Sequence, residues 1–365
     1  MKTLLTREQF NQAVLARDQC CIVCKSKDEL VIHHIIDRSL FENGGYYKDN
    51  GVTLCPKCHL LSEDSVISCD ELRELAGITE VLLPEDYDPE QVYNKWGVAV
   101  SEFMRYPRTQ HIEGSSIQKG DSDEVVRFTE LAGKHLVVEE KLDGSCTGVS
   151  FGYDGELLLQ CRGHYLHGKG DWPEFDEFKA WANTWMDQLF DLLEDRYIMY
   201  GEWMAGFHSI YYDRLPHLFM EFDIYDKVKG VFLSTIQRQA LLKSSKVQIC
   251  SVRVIKEGIF KSLEDIVSLV GQSDFISNDA HDRLVREMKE KHFPPEDIRQ
   301  IGNLNAHATM EGLYIKWEDH GIVQDRYKYV RRDFTQTIID CGKHWAIRPT
   351  IWNRMAPGKS MYDWV

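Results

Sequence analysis

Apolar and polar residues along this chain follow two different periods, and the change between them divides it. Near the N-terminus, helical spacing around Arg7 to Arg17 leads into the apolar run LVIHHII, which reads as a strand, then a glycine turn and the run CPKCHLL. From Ser62 to about Gly97 the sequence turns acidic, with DELRELAGI predicting a short amphipathic helix and LLPEDYDPEQ a loop holding two prolines. From about Ser101 onward, strand-like runs (HLVVEEKL, GVSFGY, ELLLQCRG, YIMYGEWM, HLFMEFDIYD, EGLYIKW) alternate with helical stretches such as WPEFDEFKAWANTWMDQLFDLL. Short strands, often broken by glycine and interleaved with helices, predict an α+β domain built on antiparallel sheet. The pattern predicts a small unit over 1–62, a connector over 63–100, a large domain over 101–334 and a tail over 335–365, with no internal repeat.

At 365 residues and 43% hydrophobic content, the chain can fill at least two ordinary cores. The first unit is too small to stand without a metal. A formal net charge of -15 excludes attachment to nucleic acid by overall positive potential, so any such contact must be local. One local cluster lies near the C-terminus, where Arg326, Lys328, Arg331, Arg332, Lys343, Arg348, Arg354 and Lys359 outnumber Asp325, Asp333, Asp340 and Asp363. No run approaches the roughly 20 apolar residues of a membrane span, and the first residues lack a signal-peptide apolar segment. The expectation is a soluble, intracellular (cytoplasmic) protein with no membrane partner; protein partners are not legible.

Of ten cysteines, Cys20, Cys21, Cys24, Cys55, Cys58 and Cys69 crowd the first part, while Cys146, Cys161, Cys250 and Cys341 are scattered. Metal binding explains that asymmetry better than disulfides do. Cys21-x-x-Cys24 followed by Cys55-x-x-Cys58 supplies four thiolates at the spacing of a tetrahedral structural Zn2+ site, with Cys20 a poorer fit than Cys21 to the two-residue gap. A bare zinc ribbon would explain the cysteines and nothing else. Between and beside the pairs, however, stand His33-His34 on the apolar strand, Gly44-Gly45, Asn50 before VTLC, and His59 after Cys58.

That layout resembles the HNH endonuclease family and its zinc-stapled ββα-metal unit. The resemblance implies that His34 is the general base, that His33 and His59 hold one catalytic divalent cation, and that Asn50 fixes the His34 tautomer, with Asp37 a nearby acid. A base taking a proton from water suits the near-neutral histidine pKa, and the cation suits a leaving oxygen. The plainer reading is that the histidines pack the hairpin, or that the unit docks nucleic acid without cutting it.

In the larger domain the run VVEEKLDGSCTGVSF ends an apolar strand at Glu139-Glu140 and delivers Lys141, Leu142, Asp143 and Gly144 into a turn. Such a K-x-D-G is weak alone. It gains weight from the residues downstream of it, in their order: Arg162 in QCRGHY, Glu202 in YGEWMAG, Phe222 and Asp223 in MEFDIYD, Glu311 and Gly312 in MEGLYIKW, and Arg326 with Lys328 in QDRYKYVRR. With the lead-in RYPRTQHIEGSSIQKGDSD, this ordered set resembles the covalent nucleotidyltransferase superfamily, most closely the RNA ligase 2-like ATP-dependent polynucleotide ligases, from roughly Ser101 to Phe334.

The resemblance implies a nucleotidyltransferase domain with an ATP-grasp-like antiparallel sheet and a lysyl-AMP intermediate on Lys141. It places Glu140 on the adenine, Arg162 and Glu202 on the ribose and sugar-phosphate, and Phe222 against the base. Glu311 becomes the acid nearest Mg2+ (or Mn2+), supported by Asp223. Lys316 and Lys328 become contacts of the α-phosphate, and Arg326 fills a position more often lysine. A lysine amine attacks phosphorus only when unprotonated, so its pKa of about 10.4 must be depressed by nearby positive charge; Lys316 and Lys328 are expected to supply it.

Cys146 departs from the family, which usually carries Asn or Arg there. Too few residues come after Lys328 for a separate C-terminal OB-fold, which favours an RNA ligase over DNA ligases and capping enzymes. Trp172, Phe175, Phe178, Trp181 and Trp185 recur at near-helical spacing and read as packing, and His164 and His167 as surface histidines. The expected function is ATP-dependent joining of 5′-phosphate and 3′-hydroxyl RNA ends, fused to an HNH nuclease-like unit, in nucleic-acid repair or processing. ATP, Mg2+ (or Mn2+) and Zn2+ are the expected cofactors. The rivals are a DNA ligase or nuclease-ligase acting on nicked DNA, a capping guanylyltransferase, and a non-enzymatic zinc-dependent adaptor.

Overall fold

Helix α1 (Arg7–Asp18) begins at Thr6, whose hydroxyl accepts a hydrogen bond from the Gln9 amide at 3.3 Å while the Gln9 side chain accepts from the Thr6 amide at 3.0 Å. It buries Phe10 and Val14. Strands β1 (Val31–His34) and β2 (Gly51–Leu54) pair antiparallel, with His33 opposite Val52 and His34 opposite Gly51. Helix α2 (Pro56–Glu63) comes directly after β2 and completes a ββα unit. Helix α3 (Cys69–Leu75), capped by Ser68 and Glu71, puts Cys69 and Leu72 into the same core as Ile35, Ile36, Val52 and Leu54.

The computed structural model describes residues 3–63, 67–89, 91–97, 103–117, 125–166, 173–335 and 349–363. They divide into two compact units: Met1–Arg105 with Gly163–Leu166, and Tyr106–Arg162 with His167–Val365. Within the 63–100 stretch expected as a connector, Cys69 and Leu72 enter the core of the first unit. Trp172, His167, Cys341, Lys343 and Arg348, all singled out in the sequence, lie outside the described residues.

The second unit carries strands β3 (Gln110–Ile112), β4 (Val125–Val126), β5 (Leu136–Lys141), β6 (Ser145–Phe151), β7 (Leu157–Cys161), β8 (Tyr197–Trp203), β9 (Phe219–Asp226), β10 (Val231–Phe232), β11 (Cys250–Ser251), β12 (Val254–Gly258), β13 (Gly312–Asp319) and β14 (Ile322–Val330). Between them run helices α4 (Phe128–Leu131), α5 (Asp176–Thr184), α6 (Met186–Leu193) and α7 (Thr235–Leu242). One sheet has the order β12-β5-β13-β14-β3-β4. The other runs β10-β9-β8-β6-β7, with β11 beside β9. Pairing is antiparallel as expected except at β11/β9, β14/β3 and β3/β4.

Leu136, Val138, Leu313, Ile315 and Tyr327 pack one face of the first sheet against Phe260, Ile266 and Met310. Phe178 stacks on Phe219 at 5.7 Å and Trp181 on Phe219 at 5.3 Å, so the helical aromatics are packing. Phe175 and Trp185 are buried with them. No helix among the described residues is long and apolar enough to cross a membrane.

Register decides which side chains meet. Lys141 lies opposite Gly312 and Glu139 opposite Tyr314, while Lys316 lies opposite Arg326 and Tyr314 opposite Lys328. Cross-strand partners share a face, so Glu139, Lys141, Tyr314, Lys316, Arg326 and Lys328 fall on one side of the sheet and Glu140 on the other.

Candidate active sites

Lys141 ends β5, and its Nζ donates to Oε2 of Glu311 at 2.8 Å. The turn beyond is held by its own aspartate: Asp143 Oδ2 accepts from the amides of Ser209 and Ile210, both at 2.7 Å, and its amide donates to Tyr212 Oη at 3.1 Å. The Gly144 amide donates to Glu202 Oε1 at 3.1 Å. Glycine is required at 144, where a Cβ would stand 2.5 Å from the Trp203 carbonyl oxygen. At 312 the bar is higher still, because a Cβ would sit 1.9 Å from the Tyr329 carbonyl oxygen. The two motif glycines thus let one strand approach another closely enough to bring Glu202 and Glu311 to the lysine.

Burial works to lower the Lys141 pKa, but the Glu311, Glu202 and Asp143 carboxylates outweigh it and hold the ammonium above the ordinary lysine range. Burial pushes Glu311 up to about 7 and raises Glu202 as well. This corrects the expectation that Lys316 would depress Lys141. The fully buried Lys316 ammonium lies 2.9 Å from Glu139 Oε2 and 3.1 Å from Asp223 Oδ1, and donates to the Phe222 carbonyl. Asp223 also accepts from the Tyr106 hydroxyl and lies 3.5 Å from Arg326 Nε. It is committed to this ion-pair network, not placed as a second acid beside Glu311.

The network continues inward. Arg238, on α7, bridges Glu139 at 2.7 Å and Glu221 at 2.9 Å. Three buried acids, Glu139, Glu221 and Asp223, thus meet three buried cations, Lys316, Arg238 and Arg326, and no unit charge is left uncompensated.

The remaining expected residues are distributed around this centre. Phe222 is half-buried, its ring 5.1 Å from Tyr106 and 6.2 Å from Tyr314. Arg326 stacks its guanidinium 4.0 Å from the Phe232 ring. Lys328 shares the face of Lys316 and Arg326. Arg162 lies just past β7 at the surface. Half-buried Cys146 pairs across the sheet with Glu202, and burial together with the Glu202 charge pushes its thiol pKa up, with Arg162 opposing. Glu140 is not brought to this face. Its buried carboxylate lies 4.0 Å from Arg253 Nε, and burial pushes its pKa up to about 7.

The sequence reading missed Glu139, Tyr106, Arg238, and the pair Glu174 and His208. Glu174 accepts from Ser145 Oγ at 3.3 Å and lies 3.8 Å from His208 Nε2. Only Glu139 carried a signal, since alternation along VVEEK puts it beside Lys141.

In the first unit the four sulfurs of Cys21, Cys24, Cys55 and Cys58 lie within 4.8 Å of one another. Cys24 and Cys55 are 3.6 Å apart, close to the roughly 3.8 Å edge of a tetrahedron with zinc–sulfur bonds of about 2.3 Å. A second cluster joins His33, His59 and Glu63. Glu63 Oε1 is 3.3 Å from both His33 Nδ1 and His59 Nε2. Both ring nitrogens of His33 are buried without a hydrogen-bond partner among the described residues, as suits a metal ligand. The sequence reading ended its unit at 62 and so omitted Glu63, although His59 and Glu63 stand one helical turn apart on α2.

His34 stacks on Phe10 at 4.6 Å, and burial, with the charge of Lys95, pushes its pKa down to about 4. Asn50 does not contact its ring as expected. The Asn50 amide accepts from the Ile36 N–H at 2.9 Å and donates to the carbonyls of Ile36 at 3.0 Å and Gly45 at 3.2 Å, bracing the loop between the strands. Asp37 accepts from Ser39 and caps the turn after β1.

Comparison with known proteins gives two family matches: residues 134–330 match the model for RNA ligase, and residues 21–65 that for HNH endonuclease. A search of curated proteins gave no match. Among solved structures the chain is similar to a Naegleria gruberi RNA ligase mutant with ATP and Mn, at 19% identity over 81% of this chain and 75% of that one, TM-score 0.42. It is also similar to Naegleria gruberi RNA ligase with PPi, at 19% identity, 81% and 75% coverage and TM-score 0.38. The first family match spans more than half of the chain and contains Lys141, Glu202, Glu311 and Lys328. The chain therefore belongs to the RNA ligase family, and it carries an HNH endonuclease-type unit ahead of the ligase domain.

Proposed function

We propose that the protein is an ATP-dependent ligase that joins 5′-phosphate to 3′-hydroxyl ends of RNA through AMP carried on Lys141. The observation that carries this reading is the Lys141–Glu311 pair, set beside Glu202 by the pinned Asp143-Gly144 turn. In the first step Lys141 Nζ attacks the α-phosphorus of ATP, a phosphorus–nitrogen bond forms, and pyrophosphate leaves. Only the neutral amine carries the lone pair, so the Nζ ammonium, hydrogen-bonded to Glu311, must give up its proton before the attack. AMP then passes to a 5′-phosphate, and a 3′-hydroxyl attacks that end and expels AMP.

Glu311 would hold the divalent cation, Mg2+ or Mn2+, which supplies the charge that offsets the triphosphate. The same charge would cancel the field of Glu311 and Glu202 that keeps Lys141 protonated. Lys328, on the face that carries Lys141, would offer positive charge to phosphate oxygens, while Lys316 and Arg326 stay paired with Glu139 and Asp223. In the first unit Cys21, Cys24, Cys55 and Cys58 would hold Zn2+, and His33, His59 and Glu63 a catalytic divalent cation, with His34, held neutral by burial, as the proton acceptor.

Sealing of nicked RNA, nicked DNA and hybrid duplexes, each with ATP or GTP, tests the substrate. The expected result is ATP-dependent sealing with RNA at the 3′-hydroxyl side of the nick. Sealing confined to all-DNA nicks would make the protein a DNA ligase, and dependence on GTP a capping-type enzyme.

A further inference from the structure

The segment read from sequence as a connector brings a cation into the histidine cluster. Lys95 is 5% exposed. Its Nζ contacts Glu63 Oε1 and lies 4.0 Å from Asp37 Oδ2, and its carbonyl accepts from the Asp37 amide at 2.8 Å, which ties it to the turn after β1. The Trp96 ring lies 5.2 Å from the ammonium. One oxygen, Glu63 Oε1, therefore faces two imidazole nitrogens that suit a divalent cation and an ammonium that repels one.

A dication taking that oxygen would stand within a few ångströms of the Lys95 charge, in surroundings where water screens little. Glu63 and Asp37 offset part of that repulsion, and a further anion between the two cations would offset the rest. In a site that handles phosphodiesters, that anion is the substrate phosphate. The His59 and Glu63 side chains are 34% and 25% exposed, so the cluster reaches the surface beside buried Lys95.

We propose that Lys95 is the phosphate-contacting cation of the first unit: counter-ion of Glu63 in the free protein, and of a nucleic-acid phosphate once metal is bound. Metal and nucleic acid then bind cooperatively through it. The inference rests on the nuclease reading of this unit.

The test is Mn2+ binding to the full chain carrying His34→Ala, which keeps the metal ligands while leaving nucleic acid uncut, with and without a short DNA duplex. Binding at this site is the part that His33→Ala removes. The duplex is expected to tighten Mn2+ binding by about tenfold. Lys95→Met should tighten it by about tenfold without the duplex and abolish the duplex effect, whereas Lys95→Arg should preserve that effect. Lys95→Gln serves as a second neutral variant, and zinc content with far-UV circular dichroism establishes that each variant is folded. Unchanged Mn2+ affinity in Lys95→Met, or an undiminished duplex effect, overturns the role of Lys95. Absence of any His33-dependent Mn2+ binding overturns the nuclease reading and the proposal with it.

Discussion

Lys141 is held protonated in the nucleotide-free protein, because three carboxylates outweigh its burial. In the proposed reaction the amine would be released by neutralising those acids, since no lysine of the sheet is among the groups that shift it. Glu311→Gln makes this testable. It should lower the Lys141 pKa and speed acylation of that amine at pH 8, read by peptide mass spectrometry, while slowing adenylylation by about 100-fold or more. Unchanged acylation would show that Glu311 does not hold the proton on Lys141, and undiminished adenylylation that it is not needed for the reaction. The residues legible in sequence were those fixed by order along the chain: Lys141, Glu202 and Glu311 meet as expected. Glu174 and His208 belong to no motif in that order and gave no signal.

At the scale of elements, the site depends on how closely strands approach. Gly312→Ala would drive a Cβ into the Tyr329 carbonyl where β13 pairs with β14, an overlap that backbone must move to relieve. A loss of about 3 kcal/mol or more in chemical denaturation is expected. A loss under about 0.5 kcal/mol would mean that the two strands do not pair in this register. The strands themselves were legible from alternation, but the reading that put Glu140 in the nucleotide site did not apply that alternation to VVEEK, which turns Glu140 to the face opposite Lys141. The connector was not legible. Its acidic composition concealed that Cys69 and Leu72 enter a core and that Glu63 ends the helix begun at Pro56. Composition reports exposure on average, whereas burial here depends on a few apolar positions. The role of Asn50 was hidden for a similar reason: its partners are backbone atoms, which no side-chain pattern reveals.

For the whole molecule, two chemistries belong to two compact units with separate cores. The first unit is small, and its four clustered cysteines are placed to hold one ion that would supply much of its stability. Stripping zinc with a chelator, or replacing Cys55 by Ser, is expected to unfold that unit and abolish metal-dependent nicking while leaving adenylylation within about twofold of the parent. Loss of both activities together would mean that the ligase domain does not fold independently.

The central claim is that AMP is carried on one lysine, and peptide mapping after incubation with ATP and Mg2+ tests it most directly. The account predicts one AMP, attached by an acid-labile phosphoramidate to the peptide containing Lys141, and none on folded Lys141→Ala. AMP mapped to any other residue, or a folded parent chain that never acquires it, would contradict the account.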